Sequence, residues 1–338
     1  MKRHTIIVGW GIAGANIAWQ LYKRGADFVV YDHGEDNATT VAAGLINPVV
    51  FRRLTKSWKA DTLLPFAADT YHEIELELKT AITSNFPIRR IFASIEEQNN
   101  WESIYGDGRH DDYMGEAEAY HHEFVDVPHL SGTIHAVGHL KTEEFLNKLR
   151  SFLSEKGILF KGEFNYSLEN NSSYIFCEGR HLVTNPFFNY LPLRQTHGET
   201  ITIFAPDLKL NEILNKNMYL LPLGNDLYKV GATYNWELKK PITTKIGKQE
   251  LLDKIDGFIS AKYTVVNHEA GIRPTVQDRR PLIGVHPEKP NLFVFNGMGT
   301  KGVMIAPYYA NQLLDFIDKK ATLDEEVNIE RFFKHYNV

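Results

Sequence analysis

Cysteine is almost missing from this sequence, with Cys177 the single instance in 338 residues. No internal disulfide can form, and a chain of this size without one is expected in a reducing compartment. Long apolar runs are missing too. The start, Met1-Lys2-Arg3-His4-Thr5-Ile6-Ile7-Val8, carries two basic residues but only a three-residue apolar run before glycines interrupt it, too short for a secretion signal. No other stretch approaches the length of a membrane span, so the expected location is the cytoplasm. Nor is there a basic excess: 37 Lys and Arg against 42 Asp and Glu leave a net charge of −5. A nucleic-acid partner would have to rely on a local patch. With 43% hydrophobic and 23% charged residues the composition is that of a folded chain, long enough for one large domain or two interleaved ones.

What is present begins at once. Thr5 to Val8 is a short β-branched run, followed by Gly9-Trp10-Gly11-Ile12-Ala13-Gly14 and a helix-favouring stretch from Ala15 to Arg24. The order predicts strand, tight turn, helix. Gly9 suits the turn, Gly11 lets the backbone approach a pyrophosphate, and Gly14 lets helix and strand pack closely, with the helix N-terminus facing the anion. Asp27 to Asp32 reads as the second strand. Asp32 falls at its end, where a carboxylate accepts hydrogen bonds from ribose hydroxyls and disfavours a 2′-phosphate. The glycines alone do not choose between dinucleotides.

Further along, Asn37-Ala38-Thr39-Thr40-Val41-Ala42-Ala43-Gly44-Leu45-Ile46-Asn47-Pro48 is small, hydroxylated and suited to a loop lying against a ligand. Near the other end stand Ala270-Gly271-Ile272-Arg273-Pro274, then Asp278-Arg279-Arg280-Pro281-Leu282-Ile283-Gly284, then Asn296-Gly297-Met298-Gly299-Thr300-Lys301-Gly302. Together with the opening unit these segments resemble the D-amino-acid oxidase and glycine oxidase superfamily of FAD-dependent amine oxidoreductases. The resemblance is specific at both ends and loose between Arg52 and Glu123. It extends to Ser173-Tyr174-Ile175-Phe176-Cys177-Glu178-Gly179, with Glu178 where a smaller residue is usual, and to a hairpin formed by Met218 to Pro222 and Tyr228 to Thr233.

The resemblance implies an α/β fold: an FAD-binding Rossmann-like domain of the glutathione-reductase type, interleaved with an α+β substrate domain on an antiparallel or mixed sheet. The FAD domain is expected from residues 1–50, 132–185 and 269–338, and the substrate domain from 51–131 and 186–268. Non-covalent FAD is expected against Gly9, Gly11, Ile12, Ala13, Gly14, Asp32, Thr39, Thr40, Ala43, Gly44, Gly179, Gly297, Gly299, Thr300, Lys301 and Gly302. Thr142 reads as an N-cap for a helix running toward Gly157, and Asn170 to Ser173 as a turn between strands. The polar segment from Tyr105 to Glu123, with Asp111, His121 and His122, reads as a solvated excursion or a loop over the site.

The resemblance implies hydride transfer from a small amine or amino acid to flavin N5, with oxygen as the simplest acceptor. The protein's tasks are then orientation and electrostatics. Arg273 matches the carboxylate-binding arginine of that superfamily; a structural ion pair is its alternative. Tyr219 matches the substrate-facing tyrosine, with a core tyrosine as alternative, and Tyr234 is a second aromatic candidate on the following strand. Negative charge on reduced flavin would be met by the helix starting near Gly302 and by Lys301, unless that lysine faces solvent. Thr300 stands where glycine oxidases carry arginine, which speaks against glycine itself as substrate.

Other signals are read blandly. His135 and His139 are spaced like zinc ligands, but their segment reads as a strand, and no metal is expected. Cys177 is expected to be a buried small hydrophobe. Arg52, Arg53, Lys56 and Lys59 form a basic cluster able to serve an acidic substrate but usually just a solvated face. Two other functions share these features: a flavin module of tRNA wobble-uridine modification, and a flavin-binding protein without turnover.

Overall fold

The computed structural model describes residues 4–34, 37–108, 110, 112–169 and 171–336. Among these residues the α-helices are α1 (Ile12–Lys23), α2 (Ala38–Val41), α3 (Ala60–Leu78), α4 (Ile95–Gly106), α5 (Thr142–Glu155), α6 (Lys245–Asp256) and α7 (Gly302–Ile317). Among the described residues, no helix is long and apolar enough to cross a membrane.

Six strands form one sheet in the order Leu159–Lys161, Phe28–Asp32, His4–Val8, Ser172–Phe176, Leu292–Asn296 and Leu282–Val285. All pair in parallel except the last two, which are antiparallel. Side chains alternate across it. Ile7, Val30 and Ile175 pack under α1, α3, α5 and α7 through Ile17, Tyr71, Phe145 and Tyr309, while Ile6, Val8, Tyr174 and Phe176 meet Leu182 and Phe188 on the other face. Such a sheet, buried on both sides, explains why its strands read as apolar runs.

The predicted strand, turn and helix at the start are present. α5 differs in detail: Lys141 is its capping position, and Thr142 donates its hydroxyl to the Ala42 carbonyl at 3.2 Å instead. The residue expected to cap the helix therefore ties it to the loop after α2. The helix ends at Glu155, and Gly157 turns the chain with φ +70°. Of the expected turn, Asn170 lies outside the described residues, and Ser172 and Ser173 already belong to a strand.

A second sheet has eight strands, in the order Thr264–Val276, Leu193–Phe204, Leu227–Gly231, Tyr219–Gly224, Ile213–Asn215, Ile88–Ile91, Ser131–Ile134 and Met114–Glu118. Its pairings are antiparallel apart from Ile213–Asn215 with Ile88–Ile91. On its back, Ile201, Ile203, Leu220 and Val230 pack against Leu251 and Ile255 of α6. By alternation the front face receives Tyr219, Lys229, Gly231, Gly198, Thr200, Glu269, Gly271 and Arg273.

Two expectations meet this sheet differently from how they were drawn. The boundaries at 132 and 269 fall inside its strands Ser131–Ile134 and Thr264–Val276. The segment from Tyr105 to Glu123 is not a single loop: it holds the end of α4 and the strand Met114–Glu118, with the Tyr113 hydroxyl bonded to Asp61 at 2.7 Å. Asp111 lies outside the described residues.

Candidate active site

The glycine turn is held by contacts that leave no room for side chains. Gly9 has φ +106°, and a methyl group there would lie 2.6 Å from the Cys177 carbonyl oxygen. At Gly14 a methyl would lie 2.0 Å from the Gly9 carbonyl oxygen. Gly11 stands at the start of α1 with no side-chain cap, so the first turn's amides are left to other partners. One of them, Ile12 N–H, donates to Thr39 Oγ1 at 3.0 Å, while Ala13 faces the core. Asn37 joins the two loops: its Oδ1 accepts from Thr39 N–H and its Nδ2 donates to the Trp10 carbonyl. Thr40 donates its hydroxyl to the Asn37 carbonyl.

Asp32 is buried, accepting from Gly34 N–H at 2.9 Å and from Arg150 Nε at 2.9 Å. Each oxygen thus has one donor and retains capacity for a ribose hydroxyl. Arg150 lies 118 residues away, with no motif around it to mark it.

The loop after α2 brings Ala43 and Gly44 against the strand Gly138–Leu140. Gly44 has φ +67°, and a methyl there would lie 1.9 Å from the Leu140 carbonyl oxygen; packing, not approach to a ligand, demands this glycine. Gly297 is equally crowded, by Val276 and Leu282. Gly179 and Gly299 differ. Both have positive φ, and a methyl at either would meet nothing within 4 Å, leaving open space where a ligand can lie against bare backbone. Asn296 Nδ2 donates to the Gly179 carbonyl, and Gly299 N–H to the Pro274 carbonyl, so these openings are tied to each other and to the strand bearing Arg273. Thr300 is exposed.

α7 starts without a side-chain cap, and Gly302 packs on Ile12, where a methyl would come within 2.9 Å. The positive ends of α1 and α7 therefore adjoin. Lys301 does not face solvent: its Nζ donates to the Asn47 carbonyl at 3.1 Å and to the Ser57 hydroxyl. Enclosure among neutral partners pushes its pKa down to about 8.

On the front face of the eight-stranded sheet, Arg273 lays its guanidinium over Gly198, where a methyl would lie 2.1 Å from Nη1. Nη1 reaches the His197 and Thr233 carbonyls at 3.3 Å, and the group sits 4.5 Å from the Tyr234 ring centroid. Among the described residues no carboxylate pairs with it, in contrast to Arg89 and Arg90 on the same sheet. Tyr219 crosses Gly231, where a methyl would come within 2.4 Å of its hydroxyl. Burial raises its pKa, with Arg273 acting to lower it and Tyr234 and Glu269 to raise it. Tyr234 is 59% exposed and lies beyond the end of the strand Leu227–Gly231, not on a strand as expected. α2 rests on Gly271, bringing the Thr39 and Thr40 segment onto this face.

The bland readings divide. His135 lies between two strands, and His139, on Gly138–Leu140, pairs with Ser84 at 2.9 Å; its pKa falls to about 4 through burial and the nearby Lys141 and Lys229. Cys177 is buried. Glu178 turns its side chain away from the glycine after it, accepting from Tyr166 at 2.5 Å and Asn185 at 2.6 Å, and its pKa is raised by desolvation. Of the basic cluster, Lys56 pairs with Asp61 and Lys59 with Asp324, while Arg52 and Arg53 line a cavity of about 590 Å³ with Arg90 and Glu97.

Uncapped helix starts, open space beside Gly179 and Gly299, and a carboxylate at the end of the second strand fit a dinucleotide flavin. Comparison with known proteins agrees. A family model described as FAD dependent oxidoreductase matches residues 4–315. Glycine oxidase of Bacillus licheniformis is 24% identical over an alignment of 358 residues, covering 94% of this chain and 93% of that protein. The tRNA 5-methylaminomethyl-2-thiouridine biosynthesis bifunctional protein MnmC of Legionella pneumophila is 23% identical across 95% of this chain, which spans 55% of it. The crystal structure of glycine oxidase from Geobacillus kaustophilus shares the fold, with a TM-score of 0.80 at 17% identity and 98% of each chain covered. The family match runs through nearly the whole length: the chain belongs to the FAD dependent oxidoreductase family and is an enzyme that uses FAD.

Proposed function

We propose that this enzyme oxidises a small amino acid or related amine whose carboxylate is held by Arg273, with oxygen as electron acceptor and hydrogen peroxide as product. The observation that carries this reading is the guanidinium of Arg273: enclosed on a glycine floor, held by two carbonyls and a ring, and without an anion among the described residues. A planar two-pronged donor in that state is matched to a carboxylate. Tyr219 adds a hydroxyl donor beside it. Similarity to glycine oxidase supports the substrate class, and exposed Thr300 argues for an amino acid other than glycine.

FAD, when bound, accepts a hydride from the carbon bearing the amine. The chain's own part is to hold and to stabilise. Gly9, Gly11, Gly14, Ile12 and Ala13 present the start of α1 to the pyrophosphate, and Asp32 the ribose contact. Thr39, Thr40, Ala43 and Gly44 shape the facing loop, with Gly179, Gly297, Gly299, Thr300 and Gly302 forming the opposite wall. The α7 N-terminus and Lys301 supply positive charge where reduction leaves negative charge. We assign the cofactor to the six-stranded sheet with its helices, and the substrate to the eight-stranded sheet, moving the expected boundaries to the ends of Ser131–Ile134 and Thr264–Val276.

The test is anaerobic mixing of the FAD-loaded protein with D-amino acids, glycine and N-methyl amines. Bleaching of the flavin absorbance by a carboxylate-bearing amine, followed by peroxide release on admitting air, is the expected result. A yellow protein bleached by none of them, or bleached by methylaminomethyl-uridine tRNA alone, would overturn it. Arg273→Ala should weaken carboxylate ligands at least about tenfold while leaving FAD in place.

A further inference from the structure

The front face of the eight-stranded sheet carries two charged residues that no part of this reading uses. Lys229 and Glu269 both point inward, Nζ to Oε2 at 3.4 Å, with Lys229 only 8% exposed. Between their strands runs Leu193–Phe204, and Tyr219, Gly231, Thr200 and Glu269 are successive partners across the sheet. Among the described residues no donor makes a hydrogen bond to Glu269, so its carboxylate keeps accepting capacity beyond the Lys229 ion pair. It stands beside the Tyr219 phenol, whose pKa Arg273 acts to lower and Glu269 to raise.

An ion pair drawn partly out of water is costly compared with apolar neighbours of the same size. That cost is offset if a ligand supplies N–H donors to the Glu269 carboxylate, whose side chain keeps 28% exposure. The spacing fits one. The Arg273 guanidinium lies over Gly198, and Thr200 is two residues further along the same face, about 7 Å away at the rise of a strand. A carboxylate and an amine on neighbouring atoms, each with a hydrogen bond outward, span about that distance.

We propose that Glu269, oriented by Lys229, is the recognition group for the substrate's amine, so that the site selects zwitterions: carboxylate toward Arg273, ammonium toward Glu269. This rests on the carboxylate role of Arg273 and extends it to the other end of the substrate. Lys229 is a positioning residue, holding the carboxylate across the sheet.

A matched pair of ligands isolates the claim. 2-Aminoisobutyrate lacks the hydrogen that oxidation removes, so it binds without turnover; pivalate has the same shape with a methyl in place of the ammonium. Titrating each into FAD-loaded protein and following the flavin absorbance should show the zwitterion preferred at least about tenfold, the size of a charge-assisted hydrogen bond. Glu269→Gln should erase the preference with pivalate binding unchanged, and Glu269→Asp should retain part of it. Should Glu269→Gln fail to hold FAD, Glu269→Asp decides, with a preference reduced several-fold. A wild type without preference overturns the proposal, as does a preference that survives Glu269→Gln, or one undiminished in Glu269→Asp where that variant decides. Failure of the Arg273 reading has another signature: pivalate would then bind wild type and Arg273→Ala alike.

Discussion

Lys301 keeps an ammonium in an enclosed place with a carbonyl and a hydroxyl for company, and its titration has two consequences of opposite sign. Its pKa is about 8 folded against 10.5 for the free side chain. Between those values the unfolded chain binds more protons, so stability rises with pH across that window as the buried charge is shed. The positive charge we propose for Lys301 beside reduced flavin would be lost over the same range. We therefore expect the flavin midpoint potential to fall more steeply with pH above about 8 in wild type than in Lys301→Met. At pH 7 that variant should lie about 30 to 60 mV lower, from a charge interaction of ~1.5–3 kcal/mol shared by two electrons; equal potentials would remove Lys301 from the site. Legibility differed sharply among such residues. Arg273, Asp32 and the turn glycines announce themselves because their chemistry is local. Arg150 does not, since nothing near it in sequence reveals that α5 brings it to Asp32. Lys229 and Glu269 carry no motif, and only the pairing of their strands with Leu193–Phe204 puts them on one face.

At the scale of elements, the close packing of α1 is the part most exposed to small changes. A methyl at Gly14 meets backbone, which cannot swing aside as a side chain can. Gly14→Ala should cost about 1–3 kcal/mol and reduce bound flavin, read by thermal melting and by the absorbance of the purified protein. Gly198→Ala tests a different element. The atoms nearest its methyl are those of the Arg273 guanidinium, so pivalate affinity should drop at least tenfold, about 1.4 kcal/mol, while flavin content stays unchanged. Unaltered pivalate binding would show that the guanidinium tolerates being lifted from its floor. Strand, turn and helix at the N-terminus follow from periodicity and glycine spacing. The strand Met114–Glu118 does not, because the sequence Met-Gly-Glu-Ala-Glu lacks β-branched residues and is held by pairing with Ser131–Ile134. Tertiary context also moved Thr142 from cap to tether.

Across the whole molecule, cofactor contacts are proposed from the turn after the first strand, the loop around α2, and the start of α7. Ligand binding to the folded state alone should then stabilise it by ~2.7 kcal/mol at a hundred times the dissociation constant, raising the melting temperature by several degrees. An apoprotein that melts with the holoprotein would contradict this. The two-sheet architecture could be anticipated from motifs at the ends, whereas the limits of strands such as Thr264–Val276 could not, because that segment mixes charged, polar and apolar residues and is held by pairing with Leu193–Phe204. One pairing pattern has a bearing on how the chain is made. The central strand His4–Val8 finds one neighbour within thirty residues but awaits Ser172–Phe176 for the other, and Lys301 reaches back 254 residues to the Asn47 carbonyl. On the ribosome, the strand His4–Val8 and its glycine turn are therefore synthesised long before Ser172–Phe176 and α7 can complete their surroundings. Flavin capture is a late event, and nascent chains stalled before residue 300 should emerge colourless and dependent on chaperones.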